Sequence, residues 1–142
     1  MKLKKDSTEQ KLRGAYYTPQ QLATDMVRLF ETDDIKSVLE PSCGDGVFLD
    51  ALSEARLLGK IHSIEAVEIE EDEVKKVRGR YDNAPQVRVF NEDFFDFYKE
   101  KLGKKTYDLV LGNPPYIRYQ YLQEKQRECQ AQILKSHGMK SN

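Results

Sequence analysis

The chain has 142 residues, of which 39% are hydrophobic and 33% are charged, and its formal net charge is -1. This composition fits one globular domain with a modest core, and it excludes a histone-like protein whose whole surface binds phosphate. No apolar run reaches membrane-spanning length and the first residues lack the apolar stretch of a secretory signal, so we expect a cytoplasmic protein. Cys43 and Cys129 are far apart and lack metal-ligand spacing, so both are interpreted as free thiols and no metal site is predicted.

The predicted elements alternate along the chain. Residues 1–13 carry five Lys and Arg side chains and few apolar ones, which indicates a basic N-terminal arm. An amphipathic helix is predicted to follow, with Thr18 as its cap and Pro19 at its first helical position. Four strands are predicted at Ser37–Glu40, Ile61–Ile69, Val87–Phe90 and Tyr107–Leu111. Further helices are predicted at Val47–Leu58 and Glu70–Tyr81.

Strands that are separated by helical stretches pair in parallel through right-handed crossovers. The sequence therefore predicts a doubly wound α/β sheet, mostly parallel, that binds ligands at the carboxyl ends of its strands. The unusual loops of this sequence all follow predicted strands.

The first of these loops is LEPSCGDGVFL, Leu39–Leu49. Gly44 and Gly46 can adopt positive φ and let backbone N–H groups approach a ligand where a helix begins. A plain strand-to-helix turn is the alternative for this loop taken alone. Glu68, at the end of the next strand, lies where nucleoside-binding sheets place a carboxylate, so we predict that it accepts hydrogen bonds from both ribose hydroxyls.

The third loop, NEDFFDF, places Asp93 and Phe94 at the end of the third strand. This pair suits adenine, because a carboxylate can accept from an exocyclic amino group while a neighbouring ring covers the flat base. Packing of Phe94 and Phe95 in the core is the alternative.

The fourth strand runs into the sequence Asn113-Pro114-Pro115-Tyr116. Neither proline has an N–H, so the strand ladder stops there and leaves the Asn113 side-chain amide and the Pro114 carbonyl as two acceptors. These acceptors can bind the two hydrogens of a planar amino group, and Tyr116 can stack on that flat group. Simple termination of the strand is the alternative.

Together these motifs resemble the S-adenosylmethionine-dependent DNA adenine N6-methyltransferases of restriction–modification systems. The resemblance is to the group whose cofactor motifs precede the catalytic motif. It covers Gly14 to Tyr116 through GAYYTP, LEPSCGDGVFL, VEIE, NEDFF and NPPY, in family order. It implies a Rossmann-like class I methyltransferase fold, S-adenosyl-L-methionine as the cofactor and double-stranded DNA as the partner of the full-length protein.

The resemblance also implies roles for individual residues. The methionine end of the cofactor would contact Tyr17, Thr18 and Pro19, and its amino group would lie near Glu40. The cofactor-binding loop would include Pro41, Cys43, Gly44 and Gly46. The ribose would be bound by Glu68, and the cofactor's adenine by Ile69, Asp93 and Phe94. The catalytic motif would be Asn113, Pro114, Pro115 and Tyr116, in which the first two orient the target N6 and the tyrosine stacks on a flipped base.

In family terms, residues 14–116 correspond to the cofactor-binding and catalytic-loop part of the domain. Residues 117–142 are expected to be helical or disordered, the sheet is expected to hold only about the first four strands, and a target recognition domain is expected to be absent. Such a truncated piece is expected to bind cofactor, to be inactive alone and to self-associate through its exposed sheet edge. Two alternatives remain: a methyltransferase for another planar amine, such as release-factor glutamine or rRNA guanine, and a non-catalytic binding or assembly module.

Overall fold

The structure is a computed structural model that describes residues 18–30, 34–101 and 104–112, together with residues 128, 132, 135 and 138. The basic arm, Tyr17, Cys129 and the four residues Asn113, Pro114, Pro115 and Tyr116 lie outside the described residues. The predictions that concern them therefore stay predictions.

The described chain alternates strands and helices. The strands are β1 (Ser37–Glu40), β2 (Ser63–Glu68), β3 (Val87–Asn91) and β4 (Leu109–Val110). The helices are α1 (Gln20–Arg28), α2 (Val47–Glu54), α3 (Glu71–Arg80) and α4 (Phe94–Lys101), with a 3-10 turn at Leu58–Lys60. Among the described residues, no helix has both the length and the apolar character that a membrane crossing requires.

The four strands form one sheet in the order β3-β2-β1-β4, and every pairing is parallel. Val38 of β1 lies opposite Ile64 of β2 and Leu109 of β4. The chain thus moves outward from β1 to β3 and then returns to the other side of β1 for β4. This order confirms the predicted doubly wound sheet, and it places the ends of β1, β2 and β3 side by side.

Each face of the sheet has its own apolar cluster, because successive side chains of a strand point to opposite faces. On one face, Val38 and Ile64 pack with Val27 of α1, Leu49 of α2 and Val77 of α3. On the other face, Leu39 and Val67 pack with Phe97 of α4, and Phe94 lies partly buried at the margin of this cluster. Helices therefore cover both faces of the sheet.

Several predicted boundaries differ from the structure. The first helix begins at Gln20 and Pro19 occupies its N-cap, so the predicted N-cap at Thr18 and the predicted first helical position at Pro19 are both wrong by one residue. Helix α2 ends at Glu54 instead of Leu58, because the chain turns through Arg56 at φ 60°. The predicted ends of the second and fourth strands form loops that flank shorter strands.

The helix Phe94–Lys101 was not predicted. Its apolar Phe-Phe pair follows a strand directly, which made the segment resemble a loop. The Asp93 side chain accepts a hydrogen bond from the Phe95 N–H at 2.9 Å, and its carbonyl accepts from Phe97 at 3.0 Å. Asp93 therefore caps the N-terminus of this helix, a position at which aspartate is strongly preferred.

Side chains fix the position of β4, which is only two residues long. The Asp108 carboxylate accepts hydrogen bonds from the N–H groups of Lys36 and Ser37 at 2.7 and 3.0 Å. Tyr107 donates to the buried Glu65 of β2 at 2.9 Å, and Lys105 pairs with the same carboxylate. Burial raises the pKa of Glu65, but the bonds from Lys105 and Tyr107 outweigh it and hold the pKa below its ordinary value. These contacts hold in place the strand that leads to Asn113.

The two loop glycines provide a matched stability test. Gly44 has φ +53° with no atom within 4 Å of an added Cβ, whereas a Cβ on Gly46, at φ +86°, would lie 2.7 Å from Arg80 Nη2 and 3.1 Å from Val77 Cγ2. Gly44→Ala should lower the free energy of unfolding by about 1–2 kcal/mol through left-handed strain alone. Gly46→Ala should lower it by about 2–4 kcal/mol, because its Cβ would also press on the buried Val77, whereas the end of the Arg80 side chain can move aside. Urea denaturation measures both, and equal losses would contradict the packing difference.

Candidate cofactor site

The glycine-containing loop after β1 is held by backbone hydrogen bonds. The Cys43 N–H donates to the Val67 carbonyl of β2 at 2.9 Å, and the Gly46 N–H donates to the Cys43 carbonyl at 2.8 Å. Both Gly44 and Gly46 adopt positive φ, as the sequence predicted. The Cys43 thiol is free and buried, and burial raises its pKa, so it is an inert part of the loop.

Glu68 joins this loop to the end of β2. Its Oε1 accepts from the Gly44 N–H at 3.0 Å, and its Oε2 accepts from the Glu70 N–H at 2.8 Å. Burial raises its pKa even though these backbone N–H groups favour the ionised form. A carboxylate has about four lone-pair positions, so each oxygen retains capacity for a further donor. Ribose hydroxyls are donors of the required kind.

Glu40, the last residue of β1, is the most unusual group of the site. It is 2% exposed, and its Oε1 is buried without a hydrogen-bond partner among the described residues. Burial raises its pKa well above the ordinary value, and the negative charges of Asp45, Asp50 and Glu68 raise it further. Because a buried unpaired carboxylate is costly, this position favours a ligand that brings a positive charge or N–H donors. The nearby Ser42 Oγ is also buried without a partner.

Ile69 and Asn91 form the neighbouring wall at the ends of β2 and β3. The Ile69 side chain is 53% exposed, so it offers an apolar surface that a flat ring can cover. The Asn91 side-chain amide donates to the carbonyls of Glu68 and Ile69, both at 3.0 Å. Sequence reasoning assigned no role to Asn91, although it is the first residue of the loop NEDFFDF that was singled out.

The structure gives Asp93 and Phe94 structural contacts. Asp93 starts α4, and the Phe94 ring packs 6.2 Å from that of Phe97 at an interplanar angle of 28°. Core packing, the alternative considered for Phe94, is therefore partly realised. Both residues still lie at the end of β3, which pairs with the end of β2 through Glu68 and Asn91. A role for either residue in binding adenine stays a prediction.

The segment before α1 and the end of β4 close the site. Gln20 donates to the Val47 carbonyl at 3.4 Å, so Thr18 and Pro19 precede a helix that begins beside the glycine loop. A Cβ on Gly112 would lie 3.5 Å from Pro41 Cδ and 3.8 Å from Glu40 Cγ. Gly112 at the end of the described segment therefore lies beside Glu40 and Pro41.

Comparison with known proteins identifies the family of this chain. A family model described as N-6 DNA Methylase matches residues 3–140. The chain belongs to the N-6 DNA methylase family.

Two curated relatives illustrate the similarity. The Type II methyltransferase M.HincII of Haemophilus influenzae is 33% identical over 115 residues, which is 81% of this chain and 19% of that protein. The Type II methyltransferase M.BanIII of Aneurinibacillus aneurinilyticus is 28% identical over 92% of this chain and 26% of its own length. The chain thus spans about a fifth to a quarter of these relatives.

Solved structures show the same fold. A modification subunit of a putative type I restriction enzyme from Vibrio vulnificus YJ016 has a TM-score of 0.61 and 21% identity, covering 89% of this chain and 32% of that one. The methyltransferase subunit of a type I restriction–modification system from Streptococcus thermophilus has a TM-score of 0.58 and 23% identity over 71% of this chain and 23% of its own. The fold is therefore the Rossmann-like one expected of class I methyltransferases.

Glu40 gives a prediction for the unliganded protein. Because its pKa is raised on folding, the folded state binds more protons than the unfolded state at pH values above the ordinary Glu pKa of about 4.3, and stability falls as pH rises through that window. Glu40→Gln should therefore raise the free energy of unfolding at pH 7.5 by about 1–2 kcal/mol. The gain should shrink towards pH 4.

Denaturant unfolding at both pH values measures this difference. Glu54→Gln, at the exposed end of α2, is the control and should change stability little at either pH. A loss of stability in Glu40→Gln at pH 7.5 would show that Glu40 is well accommodated without a ligand.

Proposed function

We propose that this chain is the cofactor-binding and catalytic-loop part of a cytoplasmic DNA adenine N6-methyltransferase of a restriction–modification system, with S-adenosyl-L-methionine as its cofactor. The observation that carries the proposal is the buried Glu40 carboxylate, which has an unpartnered oxygen at the end of β1 beside the glycine loop. Family membership and the order of the motifs support it.

The described residues fit the chemical groups of this cofactor. The ammonium of its methionine part suits Glu40, because it supplies the cation and the N–H donors that the buried oxygen lacks. The open space beside Gly44 leaves room for close approach of a ligand to the backbone. Glu68 would accept from the ribose hydroxyls, and the exposed Ile69 would cover one face of the adenine. Thr18, Pro19, Asp93 and Phe94 would complete the pocket from the flanking segments.

When bound, S-adenosyl-L-methionine supplies a methyl group on a positively charged sulfur, which makes that methyl an electrophile. The protein then needs to hold the target amino group in line and to accept its hydrogens, and it needs no strong base. Asn113 and Pro114 would provide the two acceptors. Gly112 lies close to Glu40 and Pro41, because a Cβ added to it would be in van der Waals range of both. This supports a place for Asn113 and Pro114 near the cofactor site, since the catalytic motif follows that glycine directly.

The proposed substrate imposes one further requirement. The N6 atom of adenine lies within the base stack of double-stranded DNA, so the base must be flipped out, at a cost of a few kcal/mol. Tyr116 would stack on the extruded base and return about 1–3 kcal/mol of that cost. Pro115 would hold the tyrosine in place by stiffening the backbone between it and Pro114.

Calorimetric titration with S-adenosyl-L-methionine tests the cofactor assignment. Glu68→Ala should weaken binding by about 1–3 kcal/mol, because it removes a charged acceptor from the ribose hydroxyls. Glu71→Ala is a matched control, since that carboxylate begins α3 nearby but pairs with Lys75 in solvent. Equal affinity of the wild type and Glu68→Ala would remove Glu68 from the site, and absence of binding to the wild type would contradict the proposed function.

The catalytic motif gives a separate prediction for any preparation of this protein that methylates DNA. Asn113→Ala should lower kcat by about 100-fold or more while cofactor affinity stays nearly constant, because the lost acceptor acts mainly in the transition state. Asn113→Asp keeps an acceptor and should be less damaging. Single-turnover methyl transfer and cofactor binding, measured side by side, separate the two effects. Loss of cofactor binding with normal turnover of the bound complex would assign the motif to the cofactor instead.

A further inference from the structure

The C-terminal turn of α3 reaches back to the glycine loop. Arg80 Nη2 donates to the Asp45 carbonyl in the middle of that loop. The same nitrogen lies 3.1 and 3.2 Å from the two oxygens of Asp50, in the first turn of α2. Tyr81 donates to Asp50 Oδ1 at 2.5 Å. Arg80, Asp50, Tyr81 and the Asp45 carbonyl thus form one connected group, which we call the loop clasp.

The loop clasp is better suited to holding geometry than to adding stability. The side chains of Arg80 and Asp50 are 41% and 38% exposed, and ion pairs at such exposure contribute little to folding. Its contacts, however, join residues 30 to 35 positions apart in the sequence. An added Cβ on Gly46 would lie 2.7 Å from Arg80 Nη2, so the guanidinium lies directly against the loop backbone. One nitrogen of the guanidinium therefore binds both the loop carbonyl and the α2 carboxylate.

The charge of Arg80 also matters at this position. Burial raises the pKa of Asp45, and Glu73 raises it further, whereas the Val47 N–H and Arg80 lower it. Glu40, Asp45, Asp50 and Glu68 interact electrostatically around the loop. A cation within this acidic group reduces the repulsion that would otherwise push the loop apart before a ligand binds.

We propose that Arg80 is a positioning residue of the cofactor site, which holds the Gly44–Gly46 backbone in its binding conformation through the Asp45 carbonyl and the Asp50 carboxylate. The inference rests on the proposed function, since the ligand that the loop receives is S-adenosyl-L-methionine. Arg80 acts through the loop and has no assigned contact with the cofactor. Support of this kind matters because binding residues work only when neighbouring contacts fix their geometry.

Arg80→Met and Arg78→Met form a matched pair for the test. Both arginines lie on α3, but Arg78 donates to the Val89 carbonyl at 2.6 and 3.2 Å, away from the loop. Calorimetry with S-adenosyl-L-methionine, on protein held well below each melting midpoint, should show about tenfold weaker binding for Arg80→Met. Arg78→Met should bind within about twofold of the wild type. Arg80→Lys should recover part of the loss, because it restores the charge but not the shape of the guanidinium.

Two further measurements distinguish positioning from general stability. Amide hydrogen exchange of Arg80→Met should be faster at Gly46 and Asp50, whose N–H groups are bonded within the loop region, while the β2 amides keep their protection. Asp50→Asn should also weaken binding, and the Arg80→Met/Asp50→Asn double variant should lose less than the sum of the two singles. Asp50→Asn also serves as the test if Arg80→Met does not fold.

The failures are distinguishable. If the wild type does not bind S-adenosyl-L-methionine, the proposed function fails and this inference fails with it. If the wild type binds and Arg80→Met binds equally well, or if Arg78→Met weakens binding to the same extent, the positioning role alone is overturned. Uniformly faster amide exchange across the sheet in Arg80→Met would also overturn the positioning role, because it would show that Arg80 contributes only to the stability of the whole fold.

Discussion

The organisation of this protein depends on one buried carboxylate. Glu40 ends the strand that lies between β2 and β4, is almost fully inaccessible, and has an oxygen without a partner among the described residues. Desolvation of such a group is unfavourable unless a ligand or a proton satisfies it. Further carboxylates in the loop after β1 and at the end of β2 make ionisation of Glu40 still less favourable. A cationic, donor-rich ligand resolves the conflict, and the proposed cofactor is of that kind.

The same constraint explains how the rest of the site is built. Glu68 accepts hydrogen bonds from the N–H groups of Gly44 and Glu70, which join the loop after β1 to the end of β2. Asn91 bonds the carbonyls of Glu68 and Ile69 from β3, and Arg80 holds the loop from α3. These contacts fix the loop after β1 and the ends of β2 and β3 relative to one another. Active sites commonly keep such unfavourable groups, because the ligand compensates for them when it binds.

The sequence predicted the sheet well because its signals are local. Short apolar strands separated by helical stretches and broken by glycine and proline were enough to place β1 to β4 in parallel order. The positive φ of Gly44 and Gly46 and the place of Glu68 at the end of β2 could be predicted, because each residue follows or ends a short apolar strand. Asn91, Asp50 and Arg80 could not be found, since their partners are backbone carbonyls or side chains that only the folded chain brings together. Helix α4 was missed because two adjacent phenylalanines carry no helical period.

The most direct test of this account is the ionisation of Glu40, followed by carbon-13 NMR of its side-chain carboxyl group with and without S-adenosyl-L-methionine. In the free protein the carboxyl should titrate well above the ordinary Glu pKa, because burial and the neighbouring carboxylates oppose its charge. With the cofactor bound, the pKa should fall, because the ammonium stabilises the ionised form. An ordinary pKa in the free protein, or a raised pKa that the cofactor leaves unchanged, would contradict the claim that Glu40 is the unsatisfied acceptor on which the site is built.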